Sequence, residues 1–396
     1  MSKLDERIKE LCPDGVEFHT LGELGKFYNG LTGKKKEDFT DGNAIFISYM
    51  NVYSNSMINI DVDDRVRISE KEKQNTVQYG DIIFTGSSET PDECGMSSVL
   101  VKHTEQKLYL NSFCFGYRFN DVSMFLPDFT KHLFRSAKLR YQIIKAANGV
   151  TRFNVSKKKM ATVRVPVPPI EIQREIVHIL DNFTELTAEL TAELTARKQQ
   201  YEYYRDRLLS FREIKSEEKT LAEIANFKTG TKPDKILEDY TDNAFYYVNA
   251  GTIPSGYVMS TNKEGDTVTT PSRGQGGIGF VGYQGKSFWL GPLCYGIRTK
   301  NPDIVTTKYI YHCLCNQTND ILARKKEGGT PSLNAVDLGT IKISIPCLET
   351  QHKIVDVLDN FEAICNDFNV GLPAEIAARQ QQYEYYRDKL LTFTEK

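Results

Sequence analysis

Two textures alternate along this chain. Over residues 1–165, and again over 214–345, short apolar runs rich in Val, Ile, Phe and Tyr are broken by Gly, Asn, Asp and Pro. Runs of that length between turn residues predict strands and loops with a few short helices. Each stretch closes on a proline-bearing strand, "VRVPVPPI" or "IKISIPCL", after which the hydrophobic period lengthens. Ile172, Ile176, Ile179, Phe183, Leu186 and Leu190 step by fours and threes, the mark of a helical heptad seam. Leu194 adds one extra step of four, a stutter, and the seam resumes at Tyr201, Tyr204, Leu208 and Phe211. Residues 346–396 repeat the design through Ile354, Val357, Phe361, Ile364, Phe368, Leu372, Ile376, Tyr383, Tyr386 and Leu390, with two such steps. "GLP" (Gly371–Pro373) is expected to stop one helix and start another, because proline suits a first helical turn and not an interior.

The repetition reaches identity. "QQYEYYRD" stands at Gln199–Asp206 and again at Gln381–Asp388, 182 residues later (381 − 199). "VPVPPIEIQREIVHILDNF" parallels "ISIPCLETQHKIVDVLDNF", "LYLNSFCFGYR" parallels "SFWLGPLCYGIR", and "TLGELGKFYNG" parallels "TLAEIANFKTG". A period this long is a tandem domain duplication and not a solenoid. The expected fold class is α/β (α+β). Two homologous globular lobes, residues 1–165 and 214–345, are separated by helical regions 166–213 and 346–396 that pair as a long antiparallel coiled coil. A helix of about 40 residues would run about 60 Å, and its apolar stripe needs the matching stripe of the other repeat.

The formal net charge of −2 and a pI near 6.4 exclude a uniformly basic nucleic-acid binder, so such a role needs local patches or a basic partner. Eight scattered cysteines, no signal-peptide core and no apolar run of membrane length predict reduced thiols, a cytoplasmic protein and no membrane contact.

Catalytic motifs are weak. "GQGGIGFVG" (Gly274–Gly282) matches a dinucleotide fingerprint without the following βαβ pattern, "NPDI" lacks the second proline of an amino-methyltransferase motif, and "GYQGKS" lacks phosphate-loop spacing. Pro91, Asp92, Glu105 and Lys107 fit a metal-dependent nuclease pattern, but the second repeat has lost the acid. "HCLC" (His312–Cys315) has no second ligand pair for structural zinc. No metal, catalytic residue or cofactor is assigned to the chain. Loop chemistry remains: "GKKKED", "TGSSETPDE" and "GVTRFNVSKKK" in the first lobe, "SRGQGG" and "ARKKEGGTPSLN" in the second. Arg273, Gln275, Ser87, Ser88, Arg152, Asn154, Ser332 and Asn334 carry groups that read base edges. Lys34, Lys35, Lys36, Lys157, Lys158, Lys159, Lys325 and Lys326 suit phosphates.

The duplicated lobe-plus-helix plan, "PP(I)E.Q..IV.ILDNF", the "TAELTAEL" stretch (Thr187–Leu194) and "QQYEYYRD.LL.F" resemble the specificity subunit of type I restriction-modification systems, in the subclass with Thr-Ala-Glu-Leu repeats in its central helix. That resemblance implies a non-catalytic subunit in which each lobe reads half of a bipartite site on double-stranded DNA. It implies helices that set the spacing and dock two methyltransferase subunits through Leu186, Leu190, Leu194, Tyr201, Tyr204, Phe361, Phe368, Tyr383 and Tyr386. It further implies motor-nuclease subunits, with S-adenosylmethionine on the methyltransferase and ATP and Mg on the motor-nuclease. The rival readings are a stand-alone DNA nuclease or methyltransferase, and a two-lobed scaffold for ligands other than DNA.

Overall fold

The computed structural model describes residues 3–210, 216–367 and 370–396. The chain divides into two compact units, and neither is a contiguous repeat. The first is Met1–Glu189 together with Ile376–Lys396; the second is Leu190–Glu375.

In the first unit four antiparallel strands lie in the order Gly25–Asn29, Cys114–Phe119, Ile82–Thr85, Ser97–Val99. Ile82 to Thr85 are all buried, so this strand reads as a continuous apolar run and not an alternation. A separate pair joins Glu17–Thr20 to the proline-bearing strand Arg164–Val167. The second unit repeats both features: Ala225–Thr229, Cys294–Thr299, Thr267–Pro271 and Gly282–Gln284 form the sheet, and Glu217–Thr220 pairs with Lys342–Ile345. The duplicated "T-L-x-E" is a helix start. The backbone N–H of Thr20 donates to Glu23 at 2.7 Å, and that of Thr220 to Glu223 at the same distance, using the acid at the third helical position to satisfy an amide outside the helical ladder.

The duplicated glutamine of the "E.Q..IV" motif has a matching task. Gln173 is fully buried; its oxygen accepts from Leu126 N, and its amide donates to the carbonyls of Met124 and Pro168, all at 2.9 Å. Gln351 does the same with Thr306 N, Ile304 and Pro346 at 2.8–3.1 Å. Each glutamine pins a lobe loop to the first turn of the following helix, and its buried polar atoms are all partnered.

That helix runs unbroken from Ile170 to Leu209. It holds no Gly or Pro, and its Ala, Glu and Leu are strong helix formers. The hydroxyls of Thr187 and Thr195 donate back to the carbonyls of Phe183 and Thr191 at 2.8 and 2.9 Å. As expected from "GLP", the second arm is two helices, Leu348–Asn366 and Leu372–Leu390. Phe211 and Phe368 lie outside the described residues.

The arms are part of the cores, which moves the sequence-derived boundaries. Ile172, Ile176 and Leu180 are fully buried in the first core, while Ile179, assigned to the seam, is only half-buried. The lobe packs on the i, i+4 face, and Ile179 sits beside that face. The same core holds Tyr383, Leu391 and Phe393 from the far end of the chain. The C-terminal strand residues complete the attachment: Val16 N donates to Thr394 O at 2.9 Å, Lys396 N to Val16 O at 3.1 Å, and Arg164 pairs with Glu395. The Asp388 carboxylate accepts from Ala137 N at 2.8 Å, at the first residue of the helix Ala137–Lys145, where exposed amide dipoles favour an anion. In the second unit Tyr201, Leu208 and Leu209, from the last turns of the long helix, pack on that unit's core.

One ring pair therefore appears twice with its origins exchanged. Phe183 stacks on Tyr386 in the first unit (5.3 Å between centroids), and Phe361 stacks on Tyr204 in the second (5.8 Å). Leu190 is buried, and Leu186 and Leu194 are half-buried.

Beneath the first pair, His132 is fully buried between Asp181 (Nε2 to Oδ1, 2.8 Å) and the Tyr383 hydroxyl (Nδ1, 2.9 Å). These partners fit a neutral imidazole that donates from Nε2 and accepts the Tyr383 proton at Nδ1. Lys131 also holds Asp181, at 2.9 Å. In the second unit His312 meets Asp359 at 2.7 Å, but its Nδ1 has no partner.

Two outcomes follow from this packing. Phe393→Ala should destabilise the first unit by about 3–5 kcal/mol, the usual cost of emptying a buried phenylalanine site. Hydrogen exchange should then show lost protection in the strand Ile82–Thr85 and unchanged protection in Thr267–Pro271. Burial also lowers the His132 pKa, despite the Asp181 carboxylate beside it. The unfolded chain protonates first, near the ordinary histidine value of about 6.5. Stability from this group is thus complete above that pH and falls as the pH drops through it. Urea midpoints at pH 7.5 and 5.5 should differ for the wild type and differ less for His132→Gln.

Candidate nucleic-acid interface

In each lobe the buried sheet strand runs out into a loop that meets a returning segment. In the first lobe Gly86 N donates to Phe113 O at 2.7 Å and Val155 N to Gly86 O at 2.9 Å. Ser87–Ser88 then pairs antiparallel with Phe153–Val155, with Ser87 opposite Asn154 and Ser88 opposite Phe153. In the second lobe Ser272 N donates to Leu293 O and Leu333 N to Ser272 O, both at 2.8 Å, and Arg273 bridges to Ser332. The backbone frame is the same. Ser87 and Arg273 occupy one position of it, and Asn154 and Ser332 the other.

Four predicted base readers thus fall on two equivalent ladder positions. Arg152 joins the first set, donating from Nη2 to Ser87 Oγ at 3.2 Å. The Ser88 hydroxyl is bound to Glu93 at 3.1 Å, and Tyr53 donates to the same carboxylate at 2.8 Å, holding its pKa low. In the second set Arg273 and Gln275 are exposed, Gln275 with a long contact of 3.5 Å to Gly329 O. Open space surrounds Gly276, Gly328 and Gly329. Two glycines of the fingerprint-like loop serve the fold: a Cβ at Gly277 would lie 1.9 Å from Ala250 O, and Gly279 has a left-handed φ of +99°.

Asn334 is not placed to read bases. Its Oδ1 accepts from Asp337 N at 2.7 Å and caps the helix Ala335–Gly339. The equivalent Ser156 caps Lys157–Met160 in the first lobe, so this position is a helix start in both. Lys34 is also withdrawn from the phosphate set. Its side chain is 9% exposed, its ammonium bound to Arg67 O at 2.5 Å and to Glu72 at 2.6 Å, and it holds the Glu72 carboxyl down at about 2. Lys35 and Lys36 are exposed beside it.

Lys158 is exposed on the short capped helix. Lys159 reaches Asn148 Oδ1 at 2.6 Å, and Asn148 pairs with Asn154, so this cation borders the ladder. Lys157 bonds Asn29 and sits 5.3 Å above the Phe115 ring, its pKa lowered by burial. Lys326 is bonded through its backbone to Ser332 in both directions, and its side chain, 61% exposed, pairs with Asp337 at 3.4 Å. Lys325 pairs with Glu327 at 2.9 Å. Lys159 and Lys326 therefore flank the ladders of their own lobes.

Sequence reasoning passed over Phe113, which is 58% exposed and whose carbonyl accepts from Gly86 N beside the first set. The one available signal was "NSF": Asn111 Oδ1 accepts from Phe113 N at 2.8 Å, a side-chain-closed turn.

Among the described residues one trio could hold a metal ion, His312, Asp359 and Glu362, with ligand atoms within 4.8 Å of one another. Lys308 lies 3.2 Å from Asp359, and Tyr311 bonds Glu362. The histidine–aspartate pair recurs in the first unit as a clasp between lobe and helix, which is the role the second pair fills too. The turn containing Asp92 is clasped by Arg140 through the carbonyls of Asp92, Cys94 and Gly95. All eight cysteines are free, and no described helix is long and apolar enough to cross a membrane.

The model of the type I restriction modification DNA specificity domain matches this chain twice, over residues 13–197 and 213–378. The chain belongs to that family. The specificity subunit of a type I restriction enzyme from Escherichia coli is 37% identical over 271 residues, 61% of this chain and 64% of that subunit. The chain is thus matched over somewhat less than two thirds of that relative's length. Among solved structures, the S subunit of a type I restriction-modification system from M. genitalium superposes with a TM-score of 0.61 at 20% identity, covering 96% of this chain and 97% of that one. A chain from a structural study of complex assembly and conformational transition in the type I system gives 0.62 at 15% identity, covering 96% and 98%. The two matched specificity domains coincide with the two copies of the ladder frame.

Proposed function

We propose that this specificity-family chain gives a type I restriction-modification complex its DNA sequence specificity and performs no catalysis itself. Each lobe reads one half of a bipartite site on double-stranded DNA. The observation that carries the reading is the shared ladder frame filled differently: Ser87 and Asn154 in one lobe, Arg273 and Ser332 in the other. Two related frames with different donors and acceptors suit two half-sites of different sequence. Phosphate neutralisation by Lys35, Lys36, Lys158, Lys159 and Lys326 adds affinity without sequence information. The net charge of −2 leaves much of the DNA grip to partners.

Those partners are two methyltransferase subunits, with S-adenosylmethionine, and motor-nuclease subunits, with ATP and Mg. The repeated arm, in which Tyr204 and Tyr386 remain 37% and 39% exposed above their stacked phenylalanines, supports docking of one kind of subunit twice. The long helix supports a role as spacer, and the complex works in the cytoplasm.

Reconstitution tests the reading. The chain alone should bind DNA weakly, with affinity that falls steeply with salt, and should neither methylate nor cut it; adding methyltransferase subunits should create site-specific binding and methylation. Methyl transfer by the isolated chain would establish the stand-alone enzyme instead.

Arg273→Ala should relax the second half-site at one position, by about 1–3 kcal/mol for a lost bidentate guanine contact. The first half-site should be unchanged; equal loss at both would assign Arg273 to phosphate or to folding.

Deleting Thr191–Leu194 removes about 6 Å and about 40° of helix. One base pair occupies about 3.4 Å of axis and about 35° of twist. The deletion also restores the four-three rhythm of the seam, so the helix should survive. Methylation mapping should find both half-sites intact and the gap between them shorter by one or at most two base pairs. An unchanged gap would show that this helix is no ruler.

A further inference from the structure

We propose that Phe113 is a specificity-determining residue of the first lobe, whose ring packs against the 5-methyl group of a thymine. The inference deepens the proposed DNA reading and rests on it.

Phe113 is an apolar side chain in an otherwise polar cluster, and its backbone is fully tied. Its N–H donates to Asn111 Oδ1 at 2.8 Å, its carbonyl accepts from Gly86 N at 2.7 Å, and Cys114 N closes the turn on Asn111 O at 3.0 Å. Asn111 N is bonded in turn to Ile47 O at 3.0 Å. The turn is therefore held rigidly, yet it leaves Phe113 58% exposed. An exposed phenylalanine forfeits the burial that ordinarily retains this residue, and here it stands beside the reading ladder. Gly86, its bonding partner, immediately precedes Ser87. The Arg152 guanidinium lies 5.9 Å from the ring centroid and also donates to Ser87 Oγ. Arginine, serine and asparagine supply hydrogen bonds to base edges in the major groove, where thymine alone presents a methyl group, read by apolar contact. A ring level with those polar readers supplies the apolar part of the code. In the second lobe the same backbone position is Leu293, half-buried beneath its loop, and the exposed reader there is Arg273. The two lobes differ at this position in the way the ladder positions differ.

The test uses the complex reconstituted with its methyltransferase subunits, on duplexes carrying the site found by methylation mapping. Each thymine of the first half-site is replaced in turn by deoxyuridine, which removes only the methyl group. At one position the wild-type complex should lose about fourfold in affinity, the worth of one buried methyl. Phe113→Ala should bind the unmodified duplex at least that much more weakly and no longer distinguish thymine from deoxyuridine there. Phe113→Leu should keep part of the discrimination, and neither variant should alter the second half-site, which controls for folding. The proposal is overturned if Phe113→Ala binds as the wild type does. It also fails if the variant stays sensitive to the same replacement, the result expected of a ring wedged between bases, or if no thymine of that half-site responds. A wild-type complex with no preference for its mapped site would bring down the DNA reading as well. A thymine-methyl preference that survives the loss of Phe113 would bring down this assignment alone.

Discussion

Each lobe is completed by burying part of a helical arm in its core. Ile172, Ile176 and Leu180 on one side, and Tyr383, Leu391 and Phe393 on the other, share a core with Phe84, Tyr117 and Phe129 of the first sheet and its neighbouring helix. Removed from that core, the arm would expose a wide apolar stripe and the lobe would lose one wall. Hydrophobic burial has no direction of its own. The buried polar groups supply it: His132 between Asp181 and Tyr383, Gln173 among three backbone partners, and Asp388 on the first amide of the helix Ala137–Lys145. Each would cost more unpaired than it gains when paired, so a shifted register is penalised at several places at once.

This division of labour leaves the ladder positions free to vary. The frame around the ladders consists of backbone bonds, Gly86 to Phe113 and Val155 in one lobe, Ser272 to Leu293 and Leu333 in the other. Backbone bonds are indifferent to the side chain they carry. Serine can therefore become arginine, and asparagine serine, without disturbing the core below. The positions that stay alike between the repeats, Glu23 and Glu223 at the helix starts and the clasping Gln173 and Gln351, are those whose side chains bond the frame itself.

The lysines show the same separation from the opposite direction. Lys34 and Lys35 are neighbours of one type, but one is locked on Glu72 and the other faces solvent. Charge counted along a sequence overstates the cations available to a phosphate, because an ammonium with a half-buried carboxylate 2.6 Å away is already neutralised.

Features that depend on near neighbours and on repetition could be read along the chain. The duplication, the unbroken helix Ile170–Leu209, the helix break at "GLP" and the strand character of Ile82–Thr85 were all legible, because periodicity and proline act over one or two turns of chain. The ladder residues Ser87, Asn154, Arg273 and Ser332 were legible as chemistry, though not as one shared frame. The fold was needed to show that Lys34 is spent, that Leu180 displaces Ile179 from the buried face, and that Phe113 stands exposed beside the ladder. It alone also decided that residues 376–396 complete the first core and not the second. In each case the outcome rests on which groups meet across tens or hundreds of residues. A local pattern shows what a side chain is able to do, whereas its partners, brought in by the fold, decide whether that capacity is already used.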